Sequence, residues 1–113
     1  MEKRVDAGLL LSFYGAMLTE RQQEMLQLYY EDDLSLSEIA ALLGVSRQGV
    51  HDAVRRGEQQ LLALEARLGL RARWVRMCDG LTACRAALIA QRTDTAITII
   101  DELLREEEGQ DGI

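Results

Sequence analysis

The window from Leu36 to Arg55 constrains this chain more than any other part of it. It reads Leu-Ser-Glu-Ile-Ala-Ala-Leu-Leu-Gly-Val-Ser-Arg-Gln-Gly-Val-His-Asp-Ala-Val-Arg, with small and apolar residues where two helices crossing at a tight angle require them. Gly44 supplies the left-handed backbone that stops the first helix without steric cost. Ala40 is small enough for the second helix to pass over it. Ile39, Leu43 and Val50 are expected to fill the crossing, with Val45 turned inward. Ser46 is placed to cap the second helix. The window predicts a helix-turn-helix.

The flanking sequence extends the same theme. Proline is absent, aromatics make up 4% of the chain, and good helix formers dominate, so the expected fold class is all-α. A first helix over about Lys3 to Met17 carries Val5, Leu9, Phe13 and Met17 four apart. Thr19, with Gln22 three residues on, opens a second helix over Glu20–Tyr30 that buries Met25, Leu26 and Tyr29. Glu31-Asp32-Asp33 ends it, and Ser35 with Glu38 forms a capping box for Leu36–Leu43. From Ser46 a long fourth helix presents Val50, Val54, Gly57, Leu61, Leu64 and Leu68 as one apolar seam up to Gly69.

A fifth helix over about Arg73 to Gln91 is expected to gather Trp74, Met77, Cys78, Leu81, Cys84 and Leu88 on one side. Gly80 inside it costs about 1 kcal/mol relative to Ala. Thr93-Asp94-Thr95 offers caps for a last helix with Ile97, Ile100, Leu103 and Leu104. Glu106-Glu107-Glu108 put negative charge at its negative dipole end, which predicts fraying there. The length suits one all-helical domain over residues 1–113, with a helix-turn-helix region over 19–68 and a C-terminal helical pair over 71–108.

The formal charge of −6 would repel a polyphosphate if it were spread evenly. It is segregated instead: residues 1–46 carry −5, 47–65 are neutral, 67–92 carry +5 and 94–113 carry −6. An anion-binding surface is therefore expected from the middle of the chain. On the outward face of the fourth helix, Arg47, Gln48, His51, Asp52 and Arg55 are expected largely on one side, opposite the apolar seam, with Arg56 nearby. Arg and Gln make paired hydrogen bonds to base edges, and Ser46 with the helix N-terminus suits a phosphate. Asp52 and Glu58 offset part of that charge, so a solvated mixed-charge face is the alternative. A second basic patch, Arg67, Arg71, Arg73 and Arg76 around Trp74, combines arginines with an aromatic able to stack. Its alternative is helix-end charge around a core Trp.

Other chemistries find little support in the residues. Cys78 and Cys84 would be turned roughly 120° apart on a helix, which disfavours a local disulfide and leaves two reduced thiols. A single histidine and no CxxC pair provide no zinc set, so no metal and no cofactor is expected. There is no HExxH, no Gly-x-Ser-x-Gly and no Gly-rich loop after a strand, so an enzyme is not expected. Lys3-Arg4 followed by Ala7–Leu18 imitates a secretory signal, but Asp6 interrupts it and no small-x-small site follows. The expected location is the cytoplasm.

Leu18-Thr-Glu-Arg-Gln, Leu28-Tyr-Tyr-Glu-Asp-Asp-Leu-Ser-Leu-Ser-Glu-Ile-Ala and Val45-Ser-Arg-Gln-Gly-Val resemble the YlxM family of small bacterial proteins, over about residues 9–70. Gly49 and His51 stand where that family's pattern has Ala and Tyr. The resemblance implies a helix-turn-helix like the fourth region of sigma factors, and an accessory role in the signal recognition particle pathway. Three roles follow as expectations: a factor binding the particle's RNA or its GTPase, a sigma-like DNA-binding regulator, and an interaction module whose C-terminal stripes pair with a second copy as a homodimer.

Overall fold

The computed structural model describes residues 3–111, with side chains described over 7–109. The described residues form six α-helices and contain no strand: α1 (Lys3–Tyr14), a 3-10 turn (Gly15–Met17), α2 (Glu20–Tyr30), α3 (Leu36–Leu43), α4 (Arg47–Leu68), α5 (Leu70–Ile89) and α6 (Thr93–Asp111). The chain is all-α. It packs as two compact units, Met1–Arg71 and Ala72–Ile113.

In the first unit the core is one cluster: Leu10, Leu11 and Tyr14 from α1, Leu26 from α2, Ile39 and Ala40 from α3, and Val50, Val54 and Leu61 from α4. The seam on α4 faces all three earlier helices, which is why its apolar residues recur at helical spacing. The seam is buried through Leu61, whereas Leu68, expected to continue it, is exposed one turn beyond the packed helices. Gly57 is a point of close approach between α2 and α4. A Cβ there would lie 2.7 Å from Cδ1 of Leu26, itself fully buried, so α2 rests on bare backbone of α4.

The helix ends follow local side-chain chemistry. Thr19 Oγ1 accepts from the Gln22 N–H at 3.2 Å. Ser35 and Glu38 close both halves of a capping box, the Ser35 hydroxyl accepting from the Glu38 N–H and the Glu38 carboxylate from the Ser35 N–H. That second bond holds the Glu38 carboxyl below its usual range. Asp33 takes a left-handed backbone (φ 62°) in the turn from α2 to α3, a conformation that aspartate tolerates better than most side chains.

Three expectations are corrected here. The first helix ends at Tyr14 rather than Met17, because the chain tightens into a 3-10 turn, and Met17 points to solvent. Val5 lies outside the residues whose side chains are described. Val45 is 36% exposed rather than interior. Its N–H reaches back to the Ala40 carbonyl at 3.1 Å, so the residue rides on the outside of the turn while Ile39 and Val50 fill the crossing. The fifth helix begins at Leu70, not Arg73. Gly69 ends α4 with a left-handed backbone at φ 64°, and the first free N–H groups of α5 find acceptors at once: Leu70 donates to the Tyr14 hydroxyl at 2.9 Å and Arg71 to Glu65 Oε1 at 2.9 Å. The Tyr14 hydroxyl in turn donates to Glu65 Oε1 at 2.7 Å.

The second unit is an antiparallel hairpin of α5 and α6, turning at Gln91 with φ 61°. Small residues line the contact: Cys84, Ala87 and Ala96 are buried, with Ile99 packed against them. A Cβ on Gly80 would lie 2.8 Å from the Leu103 methyls, so this mid-helix glycine is explained by close approach. The expectation that Trp74, Leu81 and Leu88 form the inner face with Cys84 is also corrected. The inner face is Gly80, Cys84 and Ala87, and the three large residues are exposed, because the space opposite Gly80 is already filled by the Leu103 side chain of α6.

Two measurements test this account. Gly57→Ala should destabilise the fold by about 1–3 kcal/mol in urea unfolding, in spite of alanine's better helix propensity. Gly8→Ala in α1, where a Cβ meets nothing within 4 Å, should stabilise it by about 0.5–1 kcal/mol. Equal effects at the two sites would mean that the Leu26 contact does not limit packing. Burial chiefly, and then the bond to Glu65, raise the pKa of Tyr14 above its ordinary 10.0. The folded state therefore holds this proton more tightly than the unfolded chain, and the added stability is present below pH 10 and lost as pH climbs past it. Tyr14→Phe should remove that alkaline slope and cost about 1–3 kcal/mol at neutral pH, since the Leu70 N–H and Glu65 lose a partner.

Candidate nucleic-acid interface

The candidate interface begins at the turn between α3 and α4. Gly44, at φ 69°, ends α3, and Ser46 caps α4 by accepting from the Gly49 N–H at 2.9 Å. A Cβ at position 49 would crowd that Ser46 oxygen at 3.0 Å, so Gly49 suits the close cap. Ser46 is thus committed in part to its own helix, while the backbone of the first turn still faces solvent.

Arg47, Gln48, His51, Asp52, Arg55 and Arg56 are all exposed. At about 100° per residue, Gln48, Asp52 and Arg55 stand nearly opposite the buried seam, with His51 and Arg56 on the two edges of that face. Gln48, His51 and Arg55 therefore share the outward side of α4, whereas Arg56 stands at its edge and Arg47, half a turn of the helix away from Arg56, lies nearer the buried seam in the first turn beside Ser46. Asp52 organises the outward side: Gln48 Nε2 donates to Asp52 Oδ1 at 3.0 Å, and His51 Nδ1 lies 3.4 Å from the same oxygen. Among the described residues, Arg47, Arg55 and Arg56 make no ion pair. Three guanidinium groups are left for an outside anion.

Beside this face, α2, α3 and α4 enclose a cleft of about 370 Å³ lined by Tyr29, Leu36, His51, Val54, Arg55 and Glu58. Glu58 is held by the hydroxyl of Tyr30. Sequence reasoning assigned Tyr29 to the core, but it is half-buried at the rim of the cleft. The Tyr30–Glu58 bond spans 28 residues between different helices, so local periodicity carries no trace of it.

The second group of arginines is distributed differently. Arg67 and Arg71 belong to the first unit, Arg73 and Arg76 to the second. Arg67 is exposed in the last turn of α4, and Arg71 is half-buried with its N–H on Glu65. Arg73 meets Glu107 of α6 in a two-pronged pair, Nε to Oε1 at 3.0 Å and Nη2 to Oε2. Arg76 Nε lies 3.6 Å from Glu106. The Arg73 pair holds the Glu107 carboxyl below its usual range. Trp74 is exposed rather than a core residue. No described helix is long and apolar enough to cross a membrane.

Comparison with known proteins agrees with this geometry. The family model UPF0122, "Putative helix-turn-helix protein, YlxM / p13 like", matches residues 1–103. A UPF0122 protein of Clostridium botulinum is 49% identical over 70 residues, which cover 62% of this chain and 64% of that protein. One from Acetivibrio thermocellus is 53% identical over 70 residues, covering 62% and 60%. A longer match, 47% identical over 99 residues, takes in 77% of this chain and 92% of a Symbiobacterium thermophilum relative. The chain thus spans less than two thirds of the length of the first two relatives and most of the third. With the helix-turn-helix in place and the family model covering nearly the whole sequence, the chain belongs to the UPF0122 family of YlxM/p13-like helix-turn-helix proteins.

Proposed function

We propose that this protein is a non-catalytic accessory factor of the signal recognition particle pathway in the cytoplasm, binding nucleic acid through the outward face of α4. The observation that carries the binding reading is the exposed set Arg47, Arg55 and Arg56 on the helix that follows the Gly44–Ser46 turn. Guanidinium groups pair with phosphate in two-pronged geometry, and the open first turn of α4 adds backbone donors and a favourable dipole. The pathway is supported by the likeness of the Leu28–Ala40 and Val45–Val50 segments to YlxM proteins. The particle's RNA is the favoured ligand and its GTPase the companion protein, with no cofactor required. A sigma-like reading of DNA bases gains less from the geometry: Gln48, the side chain best suited to adenine, spends its amide on Asp52.

The face is only mildly basic, so affinity should fall steeply with salt. Purified protein is expected to bind the particle's RNA at low salt. Arg47→Ala and Arg55→Ala should each weaken binding and reduce the slope of log K against log salt by about 1. Asp52→Asn should act in the opposite direction, strengthening binding by removing a negative charge from the middle of the face. Absence of binding to either the RNA or the GTPase, with no change in GTP hydrolysis, would sink the proposal. Sequence-specific promoter binding lost in the same arginine variants would replace it with the sigma-like reading.

A further inference from the structure

The cleft between α2, α3 and α4 in the first unit carries chemistry that the α4 face alone does not use. Its volume, about 370 Å³, is that of a small-molecule site. Val54, buried, and Leu36, half-buried against the core, give it an apolar base. Tyr29 supplies an aromatic wall, its ring meeting that of Tyr30 edge to face with centroids 4.9 Å apart. Arg55 and Glu58 line the same cleft three residues apart on α4. Opposite charges at that spacing are neighbours on a helix surface and able to pair. Here they do not: the Tyr30 hydroxyl holds the Glu58 carboxylate, and Arg55 makes no ion pair among the described residues. A forked donor and a two-oxygen acceptor thus stand side by side at one opening. His51 and Arg55 belong both to the cleft and to the outward side of α4, so a strand whose phosphates lie along that side passes the cleft mouth.

We propose, building on the nucleic-acid reading of α4, that this cleft receives one unpaired guanine base from a single-stranded segment of RNA. Guanine is the base whose edge matches the two side chains. Its N7 and O6 acceptors suit a forked guanidinium, here Arg55, and its adjacent N1–H and N2 amino donors suit the two oxygens of a carboxylate, here Glu58. These four groups follow one another around one side of the base, as Arg55 and Glu58 follow one another along α4. Adenine and cytosine set their amine beside a bare ring nitrogen, which a carboxylate repels. Uracil sets its N–H between two carbonyls, with the same result. Tyr29 offers the ring on which the base stacks, the common way in which proteins hold a base outside a helix. A duplex keeps the N1–H and amino groups in pairing, so the base comes from a loop, a bulge or a strand end. Tyr30 is a positioning residue: its bond to Glu58 keeps that carboxylate from closing on Arg55. A free guanine nucleotide carries the same base but lacks the neighbouring phosphates that the α4 face would hold.

The test is fluorescence anisotropy of the full chain with short labelled RNA strands, one all uridine and the others carrying a single central guanosine, adenosine or inosine. Circular dichroism serves as the fold control. The guanosine strand is expected to bind about tenfold more tightly than the uridine and adenosine strands. Inosine, which is guanosine without its amino group, should fall between them. Glu58→Gln should bring the guanosine-to-uridine affinity ratio close to one, a ratio in which general charge effects cancel. Tyr30→Phe keeps the ring contact with Tyr29 and should lower the same ratio about threefold by freeing Glu58. Guanosine monophosphate should compete only far above the strand's own concentration range; competition within that range overturns the strand as the source in favour of a free nucleotide. Wild-type protein that binds all four strands equally, or prefers another base, overturns the guanine site and leaves the phosphate reading of α4 standing. Failure to bind any strand overturns both. A guanosine preference that survives Glu58→Gln overturns the assignment to this cleft.

Discussion

Leu26 seated on the bare backbone of Gly57 is the contact that the helix-turn-helix depends on. A glycine in the middle of a long helix costs about 1 kcal/mol in propensity, so its presence requires a compensating gain. The gain is the approach of α2, which brings Leu26 to full burial and closes the core between α1, α2 and α3. With that face of α4 locked, the opposite face is fixed in direction. Gln48, Asp52 and Arg55 inherit their outward placement from packing on the far side of the same helix, which is how a core contact positions a candidate surface.

Sequence reasoning located those elements whose boundaries are set by local chemistry. Ser35 with Glu38, Gly44, Ser46 and Gly69 each act within four residues of themselves, and α3 and α4 begin and end where these signals place them. The outward placement of Gln48, Asp52 and Arg55 was legible for the same reason, since helical phase against the Val50–Leu61 seam fixes it, whereas Arg47 falls nearer the seam by the same phase. The start of α5 was not legible. It depends on a hydroxyl and a carboxylate more than fifty residues apart in Tyr14 and Glu65, which together receive its first N–H groups. The inner face of α5 was misread for a related reason: periodicity ranks faces by hydrophobicity, whereas the hairpin selected its contact by size, at Gly80 and Ala87.

The charge pattern acquires a different meaning once partners are known. The +5 of residues 67–92 and the −6 of residues 94–113 are not independent blocks. Arg73 and Arg76 spend their charge on Glu107 and Glu106, which turns the most basic stretch of sequence into hairpin glue. Exposed ion pairs of this kind contribute little stability, but their Coulomb field at a distance is largely cancelled. The half-neutral α4, which looked the weaker electrostatic candidate, is the surface whose arginines remain unengaged. Local charge balance in the sequence is thus a poor guide to where an anion would bind; the number of cations without an internal partner is a better one.

The same reasoning links the small residues inside the C-terminal hairpin to the large ones outside it. Gly80, Cys84, Ala87 and Ala96 bring α5 and α6 close together, and a contact built from such residues buries little apolar area per residue. Larger apolar side chains on the two helices, Leu81, Leu88, Ile97, Ile100 and Leu104, stand outside that contact and are 40–56% exposed. Glycine and the small residues thus set how closely α5 and α6 approach, and the larger apolar side chains are left outside that contact because the close approach excludes them.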